Sequence, residues 1–265
     1  MSRTQVGPRF IFHGNAMPFG ARIEAVNGEP HLELVKGPPA AALPVAGGWS
    51  LATSTGSNHR DLFKWGATVA DCKGERLGDL HYRTTVISSI ADVFAKNDPH
   101  VFAADHIEIK VVSDHYEPGE QPRIVPKQIS FEGLLLDNKP IKVNFNQDLT
   151  NFPTFDEFEC EYRTNRHFFD KYQVCLKQPE GGSSFGDRLP RTLGGFVLTS
   201  FAASVDFDGQ TVPGNVLSVE GFGNIYFGEV LMKEDNRRVT MVRLAMGCAA
   251  QAQVALGEVD HNGGY

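Results

Sequence analysis

The chain has 265 residues, with 25 Lys and Arg against 32 Asp and Glu, so its formal net charge is -7 and its pI is near 5.7. That balance argues against a nucleic-acid binder, which gathers positive charge. An apolar content of 41% with 22% charged residues supports a packed core and argues against global disorder. The composition adds 19 Phe, 27 Gly and 15 Pro, which reads as an aromatic core interrupted by many turns.

No apolar leader opens the chain and no stretch reaches the length of a membrane span, so no membrane partner is expected. Cys72, Cys160, Cys175 and Cys248 stand singly, without a Cys-x-x-Cys pair. That usage points to reduced thiols and a cytoplasmic protein.

In chain order, residues 9–26 read as one or two short strands. Asn27-Gly28 is a strong hairpin signal, and His31 to Val35 alternates as the return strand. Residues 36–55, rich in Gly, Pro and Ala, read as a long arm. Its Leu43, Val45 and Trp49 call for packing, either on the chain's own sheet or on a neighbouring subunit.

Residues 62–112 read as a three-stranded antiparallel meander. A turn at Lys73-Gly74 sets Trp65 opposite Tyr82, Ala67 opposite Leu80 and Phe63 opposite Thr84. A loop over 95–100 then sets Val86 opposite Ile109, Thr84 opposite Val111 and His81 opposite Asp114. Period-two alternation places the apolar members on one face. The other face collects Lys64, Thr68, Asp79, His81, Arg83, His106, Glu108, Lys110 and Asp114. One pairing objects, because this register sets Lys64 against Arg83 and like charges directly opposed repel.

Beyond a proline-rich loop at 116–126, a hairpin over residues 137–139 aligns Leu135 with Ile141 and Phe131 with Phe145. Thr154 and Glu157 form a capping box, and Phe155, Phe158, Tyr162, Phe169 and Tyr172 recur at helical spacing, so an amphipathic helix is expected near 155–172. A second loop covers 178–195. Asp208-Gly209 turns the hairpin of 196–207 and 211–219, and Pro213 marks its second strand as an edge or a bulge. Residues 223–234 and 239–247 pair Val230 with Met241 and Phe227 with Leu244, a ribbon apolar on both faces. A last strand spans 251–259. The fold class is therefore all-β: an antiparallel sandwich or barrel of about ten strands with one helix. The expected organisation is a single β-rich domain with an arm at 36–55.

Four constellations carry chemical potential. Residues 182–186 match Gly-x-Ser-x-Gly, but a nucleophile elbow needs a strand before and a helix after, and loop residues flank this one. His81 and Asp114 form the raw material of an acid–base pair, with His106 and Glu108 on the same face; the same residue types suit a solvated sheet face. His106 and Glu108 lack a third ligand at metal-site spacing, with Asp105 pointing away, so no metal is expected. Gly221-x-Gly223 leads into a strand, so it lacks the helix-terminus amides of a phosphate cradle, and no cofactor is expected. The leading expectation is a non-catalytic, homo-oligomeric structural or scaffold protein. The alternative is a small-molecule-binding β-barrel enzyme (isomerase, cyclase or hydrolase) using His81 and Asp114.

Overall fold

The computed structural model describes residues 10–116, 125–145, 154–164, 196–233 and 236–262. The 182–186 motif and residues 165–172 lie outside them, as do the side chains of Phe155, Phe158 and Tyr162. The first strands are β1 (Gly14–Val26), β2 (Glu29–Val35), β3 (Ala41–Ala42), β4 (Gly48–Ser54), β5 (Ser57–His59), β6 (Phe63–Trp65), β7 (Thr68–Arg76), β8 (Tyr82–Asn97) and β9 (His100–His115). Then come β10 (Val125–Glu132), β11 (Leu135–Leu136), β12 (Lys139–Phe145) and helix α1 (Phe155–Thr164). The last are β13 (Phe196–Ser200), β14 (Ala202–Phe207), β15 (Gln210–Pro213), β16 (Val216–Val219), β17 (Gly223–Lys233), β18 (Asn236–Met246) and β19 (Ala250–Asn262).

Two antiparallel sheets face each other. Sheet A runs β13-β17-β18-β19-β1-β2, with β16 on β17 and β3 on β1. Sheet B runs β15-β14-β12-β11-β9-β8-β6-β5, with β10 on β9 and with β7 between β8 and β4. They do not close into a barrel. The core lies between them, from Phe19, Ile23 and Leu256 on sheet A to Phe63, Ile90 and Ile107 on sheet B. Turn chemistry sets the hairpins where the residues predict: Asn27-Gly28 and Asp208-Gly209 hold positive φ at both positions, as a two-residue I′ turn requires.

Each sheet is folded along a transverse crease. In sheet B the flanking registers align Gly56, Gly66, Asp92, Asp105 and Gly133 across five strands. Asp92 takes φ 51°, Gly133 takes φ 60°, and a Cβ on Gly133 would collide with the Asp105 carboxylate. In sheet A, Gly228, Met241, Gly257 and Pro18 line up in the same way. The side-chain phase inverts at these lines. On β8, Thr84, Val86, Ser88 and Ile90 point inward before the crease, and Val93, Ala95 and Asn97 point inward after it. Strands of 16 residues such as β8 and β9 are long for a flat sheet, and interruptions of this kind are where long strands take up twist.

The ladders depart from the expected register in several places. Gly74 lies inside β7, whose ladder on β8 runs from Thr68 opposite Ile90 to Arg76 opposite Tyr82, so the turn falls at 77–81. Trp65 is buried as expected, but it stacks on Phe19 rather than facing Tyr82. The break at Gly66-Ala67 inverts the phase, so Thr68 turns inward and is 2% exposed. Lys64 lies opposite Phe94, and Arg83 lies opposite Glu75. The like-charge clash was thus the mark of a wrong register.

Between β8 and β9 the ladder continues to Asn97 opposite His100, so Val86 meets Val111 and Thr84 meets Ser113. That is a shift of two residues, which preserves the faces. The terminal ribbon shifts likewise, with Val230 opposite Val239 and Phe227 opposite Val242. Leu135 pairs with Pro140 because Asp137 and Asn138 alone form the turn. Phe131 still stacks on Phe145, at 5.8 Å between ring centroids.

The arm at 36–55 packs on its own chain. It bridges the sheets through β3 on β1 and β4 on β7, burying part of Leu43 while leaving Val45 and Trp49 exposed. The stretch 196–207 divides at Phe201, passing from sheet A to sheet B, and β15 with Pro213 is an edge strand. The capping box forms: the Thr154 amide donates to Glu157 Oε2 at 2.7 Å, and the Glu157 amide donates to Thr154 Oγ1 at 3.3 Å.

Candidate functional site

His81 and Asp114 do meet. His81 Nε2 lies 2.7 Å from Asp114 Oδ1, across the end of the β8–β9 ribbon. The register places Arg83, not His81, directly opposite Asp114, and Arg83 donates to both carboxylate oxygens at 2.9 and 3.1 Å. His81 reaches the carboxylate diagonally and stacks on Tyr116 at 4.4 Å. Burial works to raise the Asp114 pKa, but the bonds from Arg83 and His81 outweigh it and hold the carboxylate below its ordinary range. The same pairing raises the Arg83 pKa. A carboxylate clamped by a guanidinium is chiefly the partner of that cation, so its power to orient and polarise an imidazole is reduced.

His106 sits in a second cluster on the outer face of sheet B. Its Nε2 is 2.8 Å from Ser89 Oγ. Glu108 lies 3.8 Å from Nε2, and Glu132 lies 3.9 Å from Nδ1. The order of groups is that of a serine–histidine–carboxylate relay, but the carboxylates stand beyond hydrogen-bond range. Ser89, Glu108 and Ser130 are consecutive cross-ladder partners, so their amides belong to a regular sheet. An acyl-transfer site needs donors aimed at an oxyanion, which a ladder of this kind does not offer. Asp105 is exposed, on the crease and against Gly133.

The interior holds polar groups that alternation alone did not single out. Thr84, Ser88, Ser113, His115, Arg237 and His261 are each at most 1% exposed, all on the same side of the creases. Ser113 Oγ lies 2.7 Å from His261 Nδ1, a bond joining the two sheets. Phe10 stacks on Tyr82 and meets His115 edge-on at 4.8 Å. Burial drives the His115 pKa down to about 4, against an opposing pull from Asp114, so the ring is neutral near pH 7. His115 could have been found, because it continues the inward phase of Ile107, Ile109, Val111 and Ser113. His261 and Arg237 gave no such signal, since the crease at Gly257 and Met241 hides their phase.

A groove of about 450 Å³ runs along β1, β2 and β19, lined by Met17, Gly20, Ala21, Leu34, Pro38 and Arg243. The guanidinium in it is spoken for: Arg243 donates to Glu229 at 2.6 and 2.9 Å and lies 3.7 Å over the Tyr226 ring. What the groove offers is apolar surface.

A family model described as a domain of unknown function (DUF8256) matches residues 10–189, more than half of the chain. The chain belongs to that family. The match holds His81, Asp114, His106, Ser89 and strands β1 to β12, and it stops before β19, the partner of β1. No curated protein matches the chain.

Proposed function

We propose that this chain is a non-catalytic structural subunit that works by assembling with copies of itself. One observation carries the reading: large apolar side chains stand in solvent on strands at sheet edges. Leu32 and Leu34 on β2 are 72% and 75% exposed, and Trp49 and Leu51 on β4 are 63% and 49% exposed. Large apolar groups gathered at edges mark association surfaces more often than idle ones. The acid–base candidates point the same way, since Asp114 is committed to Arg83 and the carboxylates near His106 stand beyond hydrogen-bond range. Three described cysteines, Cys72, Cys160 and Cys248, are free, which suits the reducing cytoplasm proposed for it. No helix among the described residues is long and apolar enough to cross a membrane.

The test is the mass in solution at micromolar concentration. A stable multiple of the chain mass is expected, and a monomer at every concentration would sink the proposal. The second reading, an enzyme acting on a small molecule, rests on the 2.7 Å contact of His81 with Asp114. It requires that His81→Ala lower a rate by about 10²–10⁴.

A further inference from the structure

The edges of the two sheets are not alike: several carry devices against stray pairing, and others do not. On β2, Pro30 lacks an amide hydrogen. The register slips between Ile23 opposite Glu33 and Ala25 opposite Pro30, leaving His31 and Leu32 against Glu24 as a bulge. Glu33 on that strand is tied to His31 at 2.8 Å and to Arg60 at 3.0 Å. On β10, Pro126 sits beside another register slip. β15 ends in Pro213. Proline, bulges and charge are the devices that keep an edge from pairing with a stranger.

β4 has none of them, and neither have β13 and β16, but β4 is the longest of the three, with seven residues against five and four. Its ladder on β7 runs from Gly48 opposite Gly74 to Ser54 opposite Thr68 without a slip. Its sequence, Gly-Trp-Ser-Leu-Ala-Thr-Ser, contains neither proline nor charge, and Trp49 and Leu51 stand exposed on its outer face.

We propose that β4 pairs with β4 of a second copy, antiparallel, about a two-fold axis at Leu51. The proposal rests on the self-assembly reading above and names its interface. A two-fold axis perpendicular to the sheet keeps each face on its own side, so residues of equal phase must oppose. Of the registers that satisfy this, the one centred on Leu51 engages all seven residues of the strand. It sets Gly48 against Ser54, Trp49 against Thr53, Ser50 against Ala52 and Leu51 against itself. Trp49 against Thr53 is an aromatic on a β-branched neighbour, a favourable cross-strand pair, and it occurs twice. Trp49 is already oriented, because its Nε1 donates to Asp71 at 2.6 Å. The seam opposes no like charges, and one strand inward Lys73 is neutralised by Glu75 at 2.8 Å. The partner that fits this edge is therefore a second copy, and one continuous sheet would pass through both.

Cross-linking tests the register. In a Cys160→Ser, Cys175→Ser, Cys248→Ser background, Leu51→Cys should give a disulfide-linked dimer under mild oxidation. Directly opposed Cα atoms lie about 4.5–5.5 Å apart, within disulfide reach. Thr53→Cys should not link, since its symmetry mate lies about 13 Å away along the strand. Leu51→Lys, which opposes two like charges, should shift the solution mass to the monomer. An assembly that survives Leu51→Lys and shows no Leu51→Cys link overturns this interface and leaves self-assembly standing. A protein monomeric throughout overturns both. Should Leu51→Lys fail to fold, the cross-link still decides.

Discussion

The two ends of the sandwich, one on each side of the creases, are built from different chemistry. On one side Phe63, Trp65, Phe102 and Phe227 fill the interior, and Asn97 is the buried polar anchor. Its amide group donates to the carbonyls of Phe222 and Gly247, and its oxygen accepts from Ala250 at 2.8 Å, so it ties the β8–β9 tip to sheet A. On the other side the interior holds Thr84, Ser88, Ser113, His115, Arg237 and His261. Thr84 Oγ1 and Ser88 Oγ find no hydrogen-bond partner there. The first end is stabilised chiefly by apolar area, with the amides of Asn97 and Asn215 hydrogen-bonded within it. The second holds His115, whose burial cost depends on protonation, and hydroxyls that are expensive to bury when they are not bonded. Heat and acid should therefore find different weak points.

The largest effect belongs to the apolar end. Trp65 is 5% exposed and stacks on Phe19 at 4.4 Å, so Trp65→Ala should cost about 3–5 kcal/mol in chemical denaturation. Its Nε1 is buried without a partner, and Trp65→Phe should cost much less because it removes an unbonded donor along with some area. A loss under about 1 kcal/mol for Trp65→Ala would mean that the apolar end does not carry the fold.

At the polar end the expected effect is smaller and depends on pH. His115 has its pKa lowered from 6.5 to about 4 by burial. Below pH 6.5 the unfolded chain takes a proton that the folded chain refuses. Stability is thus lost as pH falls from about 6.5 to about 4, by at most about 3 kcal/mol for this group. Below that window the folded state is protonated too, and the slope from this residue ends. Asp114, whose pKa is lowered, adds a further loss at more acidic pH as its own ordinary range is crossed. His115→Phe should flatten the stability profile between pH 6.5 and 4, and an unchanged slope would remove His115 as its cause.

How much of this was legible depended on the creases. Within one side, period two sorts residues correctly: Val86 and Val111 inward, His81, Arg83 and Asp114 outward. Across a crease the same rule fails, which is why Thr68 faces inward against expectation; Gly74 misleads for another reason, since it makes room for the Phe12 ring inside β7 rather than forming a turn. The slips of two residues in β8–β9 and β17–β18 left the faces intact, because alternation cannot distinguish registers that differ by an even number. The His81–Asp114 contact was legible for that reason, while the geometry that weakens it was not. Only the true register brings Arg83 opposite the carboxylate. The arm at 36–55 hid β4 behind a Gly/Pro-rich composition, although Trp49 to Thr53 alternates plainly once the strand is seen.

The smallest expected effect tests whether the surface pair at the polar end has a task of its own. His81 has 27% of its side chain exposed, bonds Asp114 at 2.7 Å and stacks on Tyr116. Replacing it by Ala removes one hydrogen bond and a ring contact at the surface. It leaves Asp114 bonded to Arg83 through both oxygens, so no buried charge is stranded. Partly exposed pairs of this kind contribute about 0–1 kcal/mol, and the loss in His81→Ala should fall in that range. Arg83→Ala should cost more, because it takes away the bidentate partner and leaves a half-buried carboxylate with only an imidazole. For a subunit that works by assembly, His81→Ala should keep the solution mass of the parent protein. Were His81→Ala instead to cost more than Arg83→Ala, the imidazole would be the principal partner of Asp114, and the acid–base reading would regain the ground that Arg83 takes from it.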